Sequence, residues 1–156
     1  MEISKKVIKI LNKKKYNISF AESCTGGLLS STLTSQSGSS KVFSMGLVTY
    51  SNDSKIKILK VPFKIISLYG AVSMQCCLSM VTNLSRISKS QVNISITGIA
   101  GPKGGSKFKP VGLVFIGIKY KGRNNIHKYL FANKTRRSIQ NASAKAVVDN
   151  LLNLIK

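Results

Sequence analysis

A chain of 156 residues, 43% hydrophobic and 19% charged, can bury one core but is short for two. This predicts a single domain over residues 1–156 and excludes a disordered polymer. Lys and Arg number 25 against four acidic residues, a formal charge of +21 with one histidine, so a carboxylate or imidazole metal centre is a poor reading and no cofactor is expected.

The first segment, Ile3 to Lys14, sets Ile3, Val7, Ile10 and Leu11 on one face among lysines, the pattern of a surface helix with a packing role. Asn17 to Phe20 reads as a short strand that runs into the polar turn Ala21-Glu22-Ser23-Cys24-Thr25-Gly26-Gly27 and then a helix from Gly27 to Ser35. After Ser37-Gly38-Ser39-Ser40, a strand is expected from Val42 to about Tyr50, and Ser51-Asn52-Asp53 offers a helix cap. Val61-Pro62 breaks that helix. A short helical piece from Phe63 leads to Gly70, and Ser73 caps a longer helix through Ile87 with a stripe of Met74, Cys77, Leu78, Val81 and Leu84. Val92 to Thr97 reads as a strand before the glycine-rich loop Gly98 to Ser106. Val111–Tyr120 and Asn125–Phe131 read as two strands of a hairpin, and a final helix from about Thr135 buries Ile139, Ala142, Ala146, Val147, Leu151 and Ile155. Helices and strands alternate until the hairpin, which predicts a mixed sheet covered on both faces, an α/β fold.

The longest relevant apolar run, Val111 to Ile118, has eight residues and two glycines, far below the roughly twenty that span a bilayer, so no membrane segment is expected. No signal-like core follows Met1, and Cys24, Cys76 and Cys77 are odd in number with two adjacent. Reduced thiols and a cytoplasmic location are therefore expected. The basic residues are spread along nearly the whole length with no nucleic-acid motif. That pattern fits a lysine-rich compositional drift, with nucleic acid a partner only through non-specific charge, although charge alone does not separate the two readings.

Three polar turns follow three predicted strands. Ser23 begins a helix at a strand end, where free backbone N–H groups can face an oxyanion and Gly26 and Gly27 allow close approach of a ligand. The same residues would serve as a plain helix start. A serine nucleophile needs a base, and His127 lies on a predicted hairpin strand with no carboxylate beside it. A lysine becomes the better candidate, since burial can leave its amine neutral. Lys55 stands out behind Tyr50-Ser51-Asn52 at a strand end. The third turn, Thr97-Gly98-Ile99-Ala100-Gly101-Pro102, offers a hydroxyl to align the nucleophile or relay a proton and glycines to line a ribose or phosphate pocket.

These motifs, AESCTGG at 21–27, Gly38-Ser39-Ser40, Val48-Thr49-Tyr50-Ser51-Asn52 with Lys55, Gly70-Ala71-Val72-Ser73, TGIAGP at 97–102 with Gly104-Gly105, and Lys109-Pro110-Val111-Gly112, resemble the CinA C-terminal domain family. Members of that family also occur as stand-alone nicotinamide-nucleotide amidohydrolases, and this chain resembles the stand-alone form. The resemblance implies a three-layer α/β/α sandwich with a mixed central sheet. It also implies hydrolysis of nicotinamide mononucleotide to nicotinic acid mononucleotide and ammonia, with Ser23 as nucleophile, Lys55 as base and Thr97 as the glycine-turn hydroxyl. Cys24 and Thr25 are expected to frame the oxyanion hole, with Gly26, Gly27, Tyr50, Gly98 and Gly101 in substrate binding. The partner expected is thus a small pyridine nucleotide; a homo-oligomer is compatible with so small a domain, but no seam in the sequence places it. Two departures stand out: Lys103 occupies a position where the family commonly has aspartate, and the family's Gly-Asp-Arg pattern is poorly kept in Phe131 to Arg136. The alternatives carried forward are a nucleotide-binding relative without turnover and a basic nucleic-acid-binding module.

Overall fold

The computed structural model describes residues 2–132 and 134–156, with the side chains of Glu2 and Ile3 set aside. The Ile3 position of the first helical stripe and Asn133 therefore lie outside the described residues. The elements are α1 (Glu2–Lys14), β1 (Ile18–Glu22), α2 (Leu28–Thr34), a 3-10 turn (Ser39–Lys41), β2 (Phe43–Val48), α3 (Asn52–Lys57), α4 (Phe63–Tyr69), α5 (Met74–Ser88), β3 (Val92–Gly98), β4 (Leu113–Tyr120), β5 (Arg123–Leu130) and α6 (Arg136–Ile155).

One five-stranded sheet runs in the order β2-β1-β3-β4-β5. β2, β1 and β3 are parallel, while β4 and β5 return antiparallel. The hairpin turn is only Lys121-Gly122, both at positive φ (50° and 73°), the two-residue geometry whose twist matches the strands it joins. The sheet is therefore mixed, as expected, and helices cover both faces.

β3 shows how the layers are specified. Val92, Ile94 and Ile96 point into the main core, shared with α1, α2 and α6. Asn93, Ser95 and Thr97 alternate to the other face, toward α5, and stay buried because each is hydrogen-bonded, Ser95 Oγ donating to Cys77 O at 2.8 Å and Thr97 Oγ1 to Ala71 O at 2.9 Å. Gly117 on β4 lies opposite Ser95. A Cβ there would come within 2.7 Å of Ser95 Oγ and 3.2 Å of Cys77 Sγ, so the missing side chain lets α5 settle on the sheet.

Two predicted helical faces are corrected. α5 buries Cys76, Cys77, Met80, Val81 and Leu84, while Met74 and Leu78 are exposed; the run of adjacent apolar residues allowed two faces, and packing on the sheet selects the one through Met80. On α6, Ser143 and Ala144 are buried where Ala142 and Ala146 were expected to be, and both alanines are only half-buried. Ser143 is tolerated because its hydroxyl donates back to Ile139 O at 2.7 Å.

Parallel β1, β2 and β3 end on the same side, so the turns after Glu22, Val48 and Gly98 gather at one edge of the sheet. α6 begins there as well, with Thr135 as its N-cap accepting from Ser138 N–H. Crevices at the carboxyl ends of strands are where α/β folds place ligands.

Candidate active site

β1 extends two residues beyond its predicted end and brings Glu22 into the strand. Its carboxylate is fully buried and takes five hydrogen bonds. Oε2 accepts from Thr25 Oγ1 (2.6 Å), Gly27 N–H (3.1 Å) and Leu29 N–H (3.0 Å); Oε1 accepts from Ser30 N–H and Ser30 Oγ (both 2.8 Å). The acid thus satisfies the free amides at the start of α2 and has the favourable sign for the positive end of a helix. The next residue, Ser23, is held by its N–H to Ile96 O at 3.1 Å, a bond that continues the β1–β3 ladder. Ser23 is therefore fixed between a paired strand and a clasped helix start.

Lys55 approaches Ser23 from α3, whose start is set by the Ser51 side chain accepting from Ser54 N–H. Its Nζ lies 2.9 Å from Ser23 Oγ, 2.8 Å from Thr49 O and 3.1 Å from Tyr50 O. The residue is 1% exposed. Burial lowers its pKa from the ordinary lysine value. Three neutral neighbours suit either charge state: an ammonium donates to all three, whereas a neutral amine donates to the two carbonyls and leaves its lone pair for the Ser23 hydroxyl.

Between these groups opens a cleft of about 250 Å³, lined by Ser23, Cys24, Tyr50, Asn52, Lys55, Thr97 and the 98–101 turn, with Lys103 and Arg136. The structure thus brings together Ser23, Lys55, Thr97, Cys24, Tyr50, Gly98 and Gly101 from the expected set. Gly101 has φ 78°, and a Cβ on it would come within 2.4 Å of Val111 Cγ1; glycine is required both for backbone conformation and for space. Thr97 does not bond to Ser23: its hydroxyl donates to Ala71 O and ties β3 to the segment before α5.

Thr25, Gly26 and Gly27 do not line the cleft. Thr25 and Gly27 are turned to Glu22 instead, and a Cβ on Gly27 would face Val48. Glycine turns at a helix start advertise anion binding in sequence, but here the protein's own carboxylate occupies that position. The backbone bonds of the turn run from Gly26 N–H to Ser23 O and from Leu28 N–H to Thr25 O, both at 3.0 Å. The Cys24 and Thr25 N–H groups have no backbone acceptor among the described residues, and of the two residues only Cys24 lines the cleft beside Ser23. The Cys24 thiol is buried and pushed up to about 12, chiefly by desolvation, so it is a protonated wall and not a rival nucleophile.

His127 sits on the outer strand β5 opposite Ile116 and does not line the cleft. Among the described residues no group of three or more His, Cys, Asp or Glu forms a metal site, and no helix is long and apolar enough to cross a membrane.

Two residues of α6 make contacts at the cleft that the sequence did not assign, although Arg136 stands where the family's Gly-Asp-Arg pattern would end. Arg136 donates from Nη1 to Gly101 O and from Nη2 to Tyr50 Oη, both at 2.6 Å, and Gln140 donates to Cys24 O at 3.0 Å. The available signal was positional: both residues lie in the first two turns of a helix capped by Thr135, but nothing indicated that this helix starts beside the other turns.

The family model of the CinA C-terminal domain matches residues 1–155. A CinA-like protein of Prochlorococcus marinus (strain MIT 9301) is 46% identical over 149 residues, covering 93% of this chain and 35% of that protein. The chain thus spans about a third of the length of the curated relatives it matches. The crystal structure of competence/damage inducible protein CihA from Agrobacterium tumefaciens superposes with a TM-score of 0.97 at 36% identity, covering 99% of this chain and 94% of that one. A competence-damaged protein (CinA) superfamily protein from Escherichia coli gives 0.93 at 30% identity, with 97% and 88% covered. With the model matched over nearly all its residues and the three-layer fold shared, this chain belongs to the CinA C-terminal domain family.

Proposed function

We propose that the protein is an amidohydrolase that cleaves the carboxamide of nicotinamide mononucleotide by a Ser23–Lys55 mechanism. The observation that carries this reading is the 2.9 Å contact between Lys55 Nζ and Ser23 Oγ at the floor of an accessible cleft. The hydrogen-bond partners of Lys55 are a hydroxyl and two carbonyls, with no carboxylate among them. A structural lysine would be expected to gain such a counter-ion, whereas a base is more useful without one.

In the first step neutral Lys55 takes the Ser23 proton as Oγ attacks the amide carbon, and the oxyanion faces the N–H of Cys24, which lines the cleft. Protonated Lys55 then gives its proton to the leaving nitrogen, and ammonia departs from an acyl-enzyme. Water attacks that ester with Lys55 again as base, releasing nicotinic acid mononucleotide and restoring Ser23. Thr49 O and Tyr50 O hold the amine in place in both charge states. Thr97 acts as a positioning residue: by tying β3 to Ala71 it fixes the cleft wall facing the nucleophile.

Purified protein incubated with nicotinamide mononucleotide should release ammonia, and Ser23→Ala should lower the rate by at least about 10³-fold. Ammonia release that survives Ser23→Ala would remove this mechanism. Nucleotide binding with no release by the unaltered protein would leave a non-catalytic relative as the reading.

A further inference from the structure

The cleft uses one end of the sheet, and the opposite end carries a second cavity. At that pole β1 and β3 begin, β4 passes to β5 through Lys121-Gly122, and α1 and α5 end. The cavity has a volume of about 390 Å³ and is larger than the cleft. Its walls include Lys89, Lys119 and Lys121 with Tyr16, Tyr120 and Gln91, and none of its lining residues is acidic. Lys13, Lys14 and Lys15 stand at the end of α1 just before Tyr16, and Arg123 opens β5 just after the hairpin turn.

Two features separate this pole from the lysines spread over the rest of the chain. One is the backbone. The described residues other than glycine with positive φ are Lys15 (56°), Lys60 (54°), Lys89 (54°) and Lys121 (50°), and Lys15, Lys89 and Lys121 all belong to this pole. A side chain in the left-handed region costs stability against glycine, and asparagine is its commoner tenant, yet none of the chain's asparagines stands there. The other feature is pairing. Among the described residues the amines of Lys15, Lys89 and Lys119 form no hydrogen bond or ion pair, and Lys121 Nζ lies over the Tyr120 ring at 5.3 Å. The helix dipole accounts for Lys13 and Lys14 in the last turn of α1. It does not account for Lys119, Lys121 and Arg123, which stand on a hairpin. Residues held in an unfavourable backbone conformation around one cavity point to a ligand.

The walls define its chemistry. The cations are strung along the pole and not focused on one point, which suits a chain of phosphates better than a single phosphate. The groups between them are neutral and polar. Tyr16 and Tyr120 meet edge to face with ring centroids 6.2 Å apart, and their hydroxyls have no partner among the described residues. Gln91 accepts from Asn17 N–H at 2.8 Å through Oε1 and keeps its amide N–H groups free to donate. Such groups serve sugars and base edges, which a bare phosphate chain lacks. A concave site of this volume takes one strand, whereas a duplex carries its phosphates on a convex surface.

We propose that this pole binds single-stranded nucleic acid, with its lysines on the phosphates and the cavity walls on sugar and base edges. No cleft residue takes part, so the proposal does not depend on the amidohydrolase reading.

Fluorescence anisotropy of a labelled oligothymidylate, titrated with the full chain from about 50 to 200 mM salt, reads both affinity and salt slope. The test variant combines Lys15→Asn, Lys89→Asn and Lys121→Asn, which accept the left-handed backbone without the charge. A control of equal charge combines Lys5→Gln, Lys9→Gln and Lys128→Gln, exposed positions on α1 and β5 away from the pole. The asparagine variant is expected to bind at least about tenfold more weakly, with a salt slope smaller by about 2, while the control stays within about threefold. Its denaturation midpoint should equal or exceed that of the unaltered protein, and a lower midpoint would overturn the argument from strain. Equal weakening by the two variants makes binding a property of net charge and overturns the site, as does unchanged binding by the asparagine variant. Displacement of the oligonucleotide by inorganic polyphosphate with equal potency per phosphate overturns the nucleic-acid assignment, and tighter binding of a duplex of the same length overturns the single strand. Ammonia release by the asparagine variant should match the unaltered protein, so the failure of either proposal leaves the other standing.

Discussion

Two buried charges flank the nucleophile, and the protein treats them in opposite ways. Glu22, one residue before Ser23, is surrounded by donors from four residues and has its acceptor capacity filled. Lys55, on the other side, meets a hydroxyl and two carbonyls and no carboxylate. A buried carboxylate whose acceptor sites are all filled becomes structure; a buried amine with neutral partners, its pKa lowered by burial, can change state and becomes chemistry. The difference separates a scaffold on β1 from a titratable group on α3, on either side of Ser23.

The largest test of that contrast is on the lysine side. Lys55→Met should lower ammonia release about 10³-fold, because the base is lost while Ser23 remains. Its stability should respond to pH in a defined direction. Folding lowers the lysine pKa, so between the folded value and the ordinary value of 10.5 the unfolded chain binds the extra proton, and stability rises with pH across that window. Denaturant titrations of the unaltered protein should gain up to about 1.4 kcal/mol per pH unit there relative to Lys55→Met. Parallel pH profiles for the two proteins would mean that Lys55 keeps its proton. Activity should rise as pH passes the folded value, at the lower edge of that window, where the neutral amine becomes populated, and level off above it.

The next effect is on the glutamate side. Glu22→Gln replaces one acceptor oxygen with a donor facing donors, and should cost about 2–4 kcal/mol of stability with a flat pH response at alkaline pH. Ammonia release should fall through kcat with little change in KM, since the nucleophile turn loosens while the cleft mouth is untouched. A pH profile displaced along with the stability loss would merge the two roles that the structure separates. The smallest effect is at a contact that involves neither charge directly. Gln140→Ala removes one hydrogen bond to Cys24 O and should cost about 1 kcal/mol with a twofold to fivefold loss of kcat.

The reacting pair was legible in the sequence for identifiable reasons. A serine at a strand-to-helix turn and a histidine on a hairpin strand favour a lysine as base, Lys55 stands out behind a polar strand end, and the family resemblance is what assigns it the role. The element order was equally legible, because Ser51, Ser73 and Thr135 cap helices where they stand in sequence. Glu22 was not, since a strand end predicted at Phe20 left it in a loop among four scarce acids, and its four partner residues lie three to eight positions ahead. The anion-binding appearance of Gly26-Gly27 misled for the same reason. Arg136 and Gln140 depend on where α6 begins in space, which only sheet topology decides. α5 marks a third kind of limit: consecutive Cys76 and Cys77 with apolar neighbours on both sides leave the rotation of the helix to tertiary packing.

The bond from Gln140 to Cys24 spans 116 residues, and it has a consequence for the order of assembly. Ser23 and Lys55 both lie in the first half of the chain, and their meeting closes a loop of 32 residues, whereas α6 can reach the turn only after nearly all the sheet is available. Long-range closure of this kind slows folding more than it weakens the folded state. During synthesis the halves of the cleft therefore mature at different times: the nucleophile and its base can be paired on an early fragment, while the arginine that spans Tyr50 and Gly101 arrives with the last helix.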